Sequence, residues 1–407
     1  MNKIFPMLSA EYAADPFPFW ANLRKQHPVY FSEEFGFWVV TRYADILEMS
    51  KRPLEFSSSI GSAGGMVGQD ADEGAAENVG FLPMIQHDPP EHTRLRALLK
   101  RSFTSSRMAA LEPAIRNTAQ QLQQEIHRLA SAGDAVDLYE HFASPLPVTV
   151  IAELLGIPAD RRDKLRFWNQ ATGVGSGDGF SDQQKLGANK DMSRLLAELI
   201  SERREAPGDD LISALVQIAD EDGDRLRPSE LLGFCKLLWI AGNETTTNLI
   251  TNGALVLQAE PQLLSTLQTN SALIPAFVEE LLRYEGPANG LFREAAADIE
   301  FRGQHIRKGD AIWLLWAAGN RDPNQFSQPD NFDISRNATN HLAFGHGIHF
   351  CLGAHLAKLE AQIAFEGVVQ LLQDFRCVPQ KGRRLPTPIL RGWLHLPMEP
   401  LPGPTSQ

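Results

Sequence analysis

The chain has 407 residues, 43% of them apolar, and a formal net charge of −12. That length suffices to bury a core and still enclose a cavity. The acidity disfavours a nucleic-acid partner, since phosphate contacts need clustered Lys and Arg. No run of about 18 apolar residues predicts a membrane helix. The start, Met1 to Ala10, lacks a signal-peptide pattern. Three cysteines, Cys235, Cys351 and Cys377, make no disulfide framework, so the expectation is a cytoplasmic protein without a membrane partner.

In chain order, Val29 to Thr41 predicts a β-hairpin rich in Val, Tyr, Phe and Trp. Gly61 to Gly80 and Gly173 to Ser181 are glycine-rich and weakly periodic, which predicts surface loops or lids over a cavity. From Glu91 to about Leu282 the pattern is mostly helical, broken at Pro145, Pro147, Pro158, Pro207, Pro228 and Pro261. Strands return from Ile299 to Trp316. A helix follows over Ala354 to Leu372, then a last β region over Leu385 to Leu396. Helices in the middle with strand pairs at both ends predict a mainly α fold with small β-sheets, organised as a single domain over 1–407.

Within the helical stretch, Ser229 to Glu260 predicts one helix of roughly 45 Å. Its middle, Ala241-Gly242-Asn243-Glu244-Thr245-Thr246-Thr247, is poor helix sequence. Local rules broken inside a long helix point to function. Ala241 and Gly242 are small enough to let a planar group approach the backbone. Thr245 is spaced to hydrogen-bond back to the Ala241 carbonyl and open the helix locally. The pair Glu280-x-x-Arg283 shares a helix face as an ion pair.

The most informative segment is Phe344-Gly345-His346-Gly347-Ile348-His349-Phe350-Cys351-Leu352-Gly353. It is a tight glycine-rich loop that runs directly into a helix. A thiolate there is favoured by helix N-terminal N–H groups or by a metal. A sole cysteinate suits haem iron. Zinc is the competing reading, since His346, His349, Cys351 and His355 cluster, but no CxxC or HxxxH pair is present. A buried structural cysteine is the bland alternative.

This decapeptide resembles the signature of the cytochrome P-450 family, the soluble bacterial haem-thiolate monooxygenases, with no departure from Phe-Gly-x-Gly-x-His-x-Cys-x-Gly. The resemblance implies an α-rich triangular prism with haem b (iron protoporphyrin IX) ligated by Cys351. Phe344, Gly345, Gly353 and Ala241 would lie against the cofactor. His92, Arg96, Arg293 and His349 would bind its propionates, Arg in bidentate fashion. Glu244 and Thr245 match the family's acid–alcohol pair. Thr245 would hydrogen-bond dioxygen or its water, and Glu244 would feed protons inward, as general acid catalysis requires. Arg336 would join Glu280 and Arg283 as a structural brace. By position, Phe81, Leu82, Leu237, Ile240, Asn289, Leu291 and Ile389 would line a mostly apolar substrate pocket.

The implied reaction is hydroxylation of a C–H bond in a medium-sized apolar substrate such as a terpenoid, steroid, fatty acid or polyketide. No Rossmann glycine motif is present, so electrons must come from a ferredoxin or flavodoxin and its reductase. Arg96, Lys100, Arg101, Arg107, His355 and Lys358 form a candidate basic docking face on a monomer. Competing classes are a peroxide-driven peroxygenase and a non-catalytic haem sensor. The intact Glu244-Thr245 pair argues against the first, and a buried proton relay has no use in the second.

Overall fold

The computed structural model describes residues 4–60, 84–173, 179–219 and 223–401. Helices dominate, and short strands form small sheets at the two chain ends. The largest sheet contains β1 (Val29–Ser32), β2 (Phe37–Val40), β3 (Phe56–Ser57), β5 (Leu291–Ala295) and β8 (Ala311–Leu314), in the order β1-β2-β8-β5-β3. β4 (Val136–Asp137), β9 (Phe375–Cys377) and β12 (Pro397–Pro400) make a second sheet. β6 (Ile299–Phe301) pairs with β7 (Gln304–Ile306), and β10 (Arg383–Arg384) with β11 (Trp393–His395).

The predicted N-terminal hairpin forms as β1 and β2, turning at Gly36 with a left-handed φ of 71°. Its second strand then pairs in parallel with β8, some 270 residues later, placing Val39 beside Trp313. β5 was not anticipated from the sequence. Arg293 and Glu294 break its apolar alternation, yet Phe292 and Arg293 are both buried because the strand lies inside the sheet, between β3 and β8.

The central helix spans Pro228–Ala259, one residue earlier than the sequence pattern predicts at each end. Proline at its first position costs no hydrogen bond, because that N–H has no helical partner. The helix is about 48 Å long. It is most deeply buried from Thr246 to Ala254 and packs against the helices Pro145–Leu154 and Ala354–Asp374. Gly242, one of three glycines inside it, is set by its packing. A Cβ on Gly242 would stand 2.7 Å from Ile151 Cδ1, so this glycine admits the neighbouring helix. Nor does the helix open at Thr245; it runs uninterrupted.

Three charged side chains fasten the helix Ile274–Glu285 to the segment before Cys351. Arg283 donates to both Glu280 oxygens, at 2.8 and 2.7 Å, and Arg336 Nε reaches Glu280 Oε1 at 3.1 Å. Arg283 also donates to the carbonyls of Asn320, Pro329 and Asn331. Glu280 and Arg283 are each 1% exposed, so both charges depend on these partners. Arg283→Ala leaves the Glu280 carboxylate buried opposite Arg336 alone. It is expected to cost about 3–5 kcal/mol in urea denaturation, and Arg336→Ala less, because Glu280 then keeps its bidentate partner.

Candidate active site

Cys351 ends a loop that glycine makes possible. Gly345 and Gly347 have φ of 69° and 74°, the left-handed region that favours glycine. A Cβ on Gly347 would stand 2.4 Å from the Ser50 carbonyl oxygen, and one on Gly345 3.3 Å from the Trp316 ring. The loop is thereby seated on two distant segments. The Cys351 N–H donates to Phe344 O at 2.9 Å, closing the turn before the helix Ala354–Asp374 begins. Gly353 caps that helix, and a Cβ there would meet nothing within 4 Å.

Burial pushes the Cys351 thiol up, while a hydrogen bond from the Gly353 backbone and the charge of Arg96 pull it down. The sulfur is therefore left short of stabilisation for its anion, a deficit that metal coordination would fill.

Four predicted donors gather on one side of this loop. The His92 and His349 rings lie 4.2 Å apart, centroid to centroid. Among the described residues, neither nitrogen of His92 has a hydrogen-bond partner, nor does Nε2 of His349. Burial drives the His92 imidazole down to about 4 and that of His349 to about 3, with nearby arginines adding to both shifts. Arg293 is 6% exposed and makes one hydrogen bond, to Phe292 O at 2.7 Å; burial takes it down to about 10. Arg96 donates to Phe350 O at 2.6 Å. Buried cations and unpartnered imidazoles beside one another are destabilising by themselves. A pair of carboxylates would satisfy both, so this donor set fits the propionates of haem.

On the central helix, the Thr245 hydroxyl donates to Ala241 O at 2.7 Å, as the four-residue spacing predicts. Leu237 and Ile240 are partly buried and Ala241 is exposed, although this stretch lies in the middle of the helix. Glu244 points elsewhere. It lines a small pocket with Tyr139, Asn169, Gln170 and Thr247, with about 20 Å³ available, enough for a water molecule. Its Oε2 would be 3.3 Å from a Cβ on Gly173. Burial and the Glu244 charge push the Tyr139 hydroxyl up to about 12. Tyr139 belongs to a π-helical turn, Tyr139–Ala143, that the sequence reading passed over as continuous helix.

Of the remaining predicted residues, Asn289 and Ile389 meet, the Asn289 N–H donating to Ile389 O at 2.8 Å, and Leu291 packs against the same apolar cluster as Ile389. Leu291 and Arg293 alternate along β5, on one face of the strand. Asn289 is buried, with Nδ2 donating to Pro388 O at 2.8 Å. Ile389 is buried in an aromatic cluster with Phe5, Trp20 and Trp313. Phe81, Leu82 and the first glycine-rich loop lie outside the described residues. On the candidate docking face, Lys358 is not a free cation: its Nζ pairs with Glu279 at 2.6 Å. Lys100, Arg101 and His355 are exposed, as is Phe350 beside the cysteine.

Comparison with known proteins agrees with this constellation. The family model described as cytochrome P450 matches residues 180–403. Cytochrome P450 107B1 of Saccharopolyspora erythraea is 41% identical over 371 residues, 89% of each chain. Cytochrome P450 monooxygenase PikC of Streptomyces venezuelae is 38% identical over 399 residues, 96% of this chain and 92% of that one. Among solved structures, CYP109E1 from Bacillus megaterium in complex with corticosterone superposes with a TM-score of 0.84 at 32% identity, covering 96% of this chain and 99% of the other. A mainly α chain with the complete cysteine loop, similar to these proteins over nearly its whole length, belongs to the cytochrome P450 family and is a monooxygenase.

Proposed function

We propose that Cys351 holds haem iron as a thiolate, that His92, His349, Arg96 and Arg293 bind the haem carboxylates, and that the enzyme hydroxylates a medium-sized apolar substrate. The observation that carries this reading is the set of unpartnered imidazole nitrogens on His92 and His349, packed together beside two arginines. Haem held by a thiolate supplies oxygen activation driven by electrons from a partner protein.

The chain's own residues do the rest. The glycine loop presents the sulfur and leaves open space above Gly353 for a flat ring. Leu237, Ile240, Ala241 and Leu291 offer an apolar wall, which excludes water from the reacting C–H bond. The Thr245 hydroxyl, anchored on Ala241 O, keeps its oxygen as an acceptor for a water or for a proton passing inward. Glu244 sits at the mouth of a water-sized pocket and takes protons from solvent by way of that water. A steroid-sized substrate agrees with the apolar wall and with the corticosterone bound by the structurally similar CYP109E1.

Reconstituted Cys351→Ser is expected to lose the red-shifted absorption band of the reduced carbon monoxide complex that thiolate ligation produces. Thr245→Ala should keep that band while product formed per NAD(P)H falls several-fold and hydrogen peroxide rises. Unchanged coupling would remove Thr245 from proton delivery.

The His92 imidazole gives a pH signature. Its value is lowered from 6.5 to about 4, so between those values the unfolded chain binds more protons than the folded one. Stability from this group is complete above pH 6.5 and is lost as the pH falls through about 4. Haem carboxylates beside it favour the charged form and shrink the loss. Urea midpoints at pH 7 and pH 5 should therefore diverge more for cofactor-free than for loaded protein, and His92→Gln should narrow the gap.

Electrons come from a small acidic ferredoxin or flavodoxin that docks on the cysteine side, where Lys100, Arg101, His355 and the Phe350 ring are exposed. Reversing Lys100 and Arg101 to Glu should slow reduction and flatten its dependence on salt, with the carbon monoxide spectrum unchanged. Lys358 is left out of this pair because Glu279 already neutralises it.

A further inference from the structure

A cleft of about 360 Å³ lies between the N-terminal segment and the turn that joins β10 to β11. Its volume falls at the low end of the range for small-molecule sites. Met7, Leu8, Pro388 and Leu390 supply apolar walls, and Asn289 and Arg384 supply polar groups. Leu8 is 77% exposed at the lip, an unusual position for a large apolar side chain next to a concavity.

Arg384 is the informative residue. It lies half-buried on β10, paired across the strands with Trp393, and its guanidinium stacks over that ring at 4.4 Å. Stacking occupies the face of the guanidinium and leaves its N–H edges. Among the described residues no hydrogen bond or ion pair is made by those edges. The carboxylates nearby are engaged: Glu285 takes Arg391 at 2.6 Å and lies 3.8 Å from Arg321, and Asp15 accepts from the Phe17 N–H at 3.2 Å. Arg391 also lines the cleft but is paired with Glu285, which leaves Arg384 as the cleft's cation without an ion-pair partner among the described residues. Burial, and then the neighbouring Arg391, take the Arg384 guanidinium down to about 10, against the opposing charges of Glu285 and Asp15. Across the cleft, Asn289 is 5% exposed, its Nδ2 is spent on Pro388 O, and its Oδ1 has no donor. The walls thus hold both a donor set and an acceptor without partners, next to apolar surface.

We infer that this cleft is a binding site for an amphipathic carboxylate, with the acid group bidentate on the Arg384 edge and the hydrocarbon along Met7, Leu8 and Leu390. Asn289 Oδ1 accepts from a water or hydroxyl that accompanies the acid. Binding there needs no turnover, so its test is independent of the proposed oxygen chemistry.

The test is calorimetric titration of the purified holoprotein with decanoate, decanol and inorganic phosphate. Decanoate should bind saturably and decanol about tenfold more weakly, the difference one charge-assisted bidentate contact makes. Arg384→Gln should weaken decanoate about tenfold and leave decanol unchanged, while Arg384→Lys keeps part of the affinity. Leu8→Glu, at an exposed position that folding does not depend on, should also weaken decanoate by placing a negative charge at the lip. Three results would overturn the inference: equal affinity for acid and alcohol, decanoate binding insensitive to Arg384→Gln, or phosphate competing as strongly as decanoate, which would mean a plain anion site.

Discussion

A sulfur anion is hard to maintain away from water, and the architecture around Cys351 is organised by that difficulty. Burial favours the neutral thiol, and only one backbone hydrogen bond and the Arg96 charge oppose it. What the chain supplies in quantity is position. Two left-handed glycines bend the loop onto the Ser50 carbonyl and the Trp316 ring, so the cysteine is located by contacts outside its own loop, one of them with the far N-terminal part of the chain. The helix that begins at Ala354 then turns its N-terminal end toward the loop.

The surrounding charge follows the same logic. Glu280 and Arg283 are buried, Arg336 is half-buried, and the three are paired with one another, so they serve as an internal strut. His92, His349, Arg96 and Arg293 are concentrated with Asp88 as the one carboxylate acting on His92 and Arg293 among the described residues, and no ion pair to it forms there. A folded chain does not ordinarily leave buried donors this way unless a ligand completes them. The contrast between a satisfied brace and an unsatisfied cluster separates the part of the chain that holds shape from the part that awaits a cofactor.

The turn between β10 and β11 connects several regions. Its backbone is tied to residues 287–289 through the Asn289 and Arg391 amides, and to the central helix through Asn252, whose Nδ2 donates to Arg391 O at 2.9 Å. Gly392 lets it approach Asn248 closely, since a Cβ there would overlap that side chain. Leu385 borders both the water-sized pocket at Glu244 and the cleft at Arg384. Occupancy of the cleft would therefore bear on the same turn that borders the Glu244 pocket.

Local chemistry was legible from the chain alone. The hairpin at Val29 is set by neighbours within a few positions, so spacing was enough to read it, while the ten residues ending at Gly353 were read by their resemblance to a family signature. Thr245 bonds to Ala241 because four residues make one helical turn, whatever surrounds the helix. Gly242 shows the limit of that reading: its missing side chain admits Ile151 of another helix, which no local pattern announces. The same holds for β5, whose charged residues are tolerable only inside a finished sheet, and for Lys358, whose charge Glu279 cancels. Arg384 reads as one more surface cation in the sequence. Its lack of a partner exists only once Trp393 covers its face and Arg391 has taken Glu285, because pairing between distant charges is decided by tertiary packing.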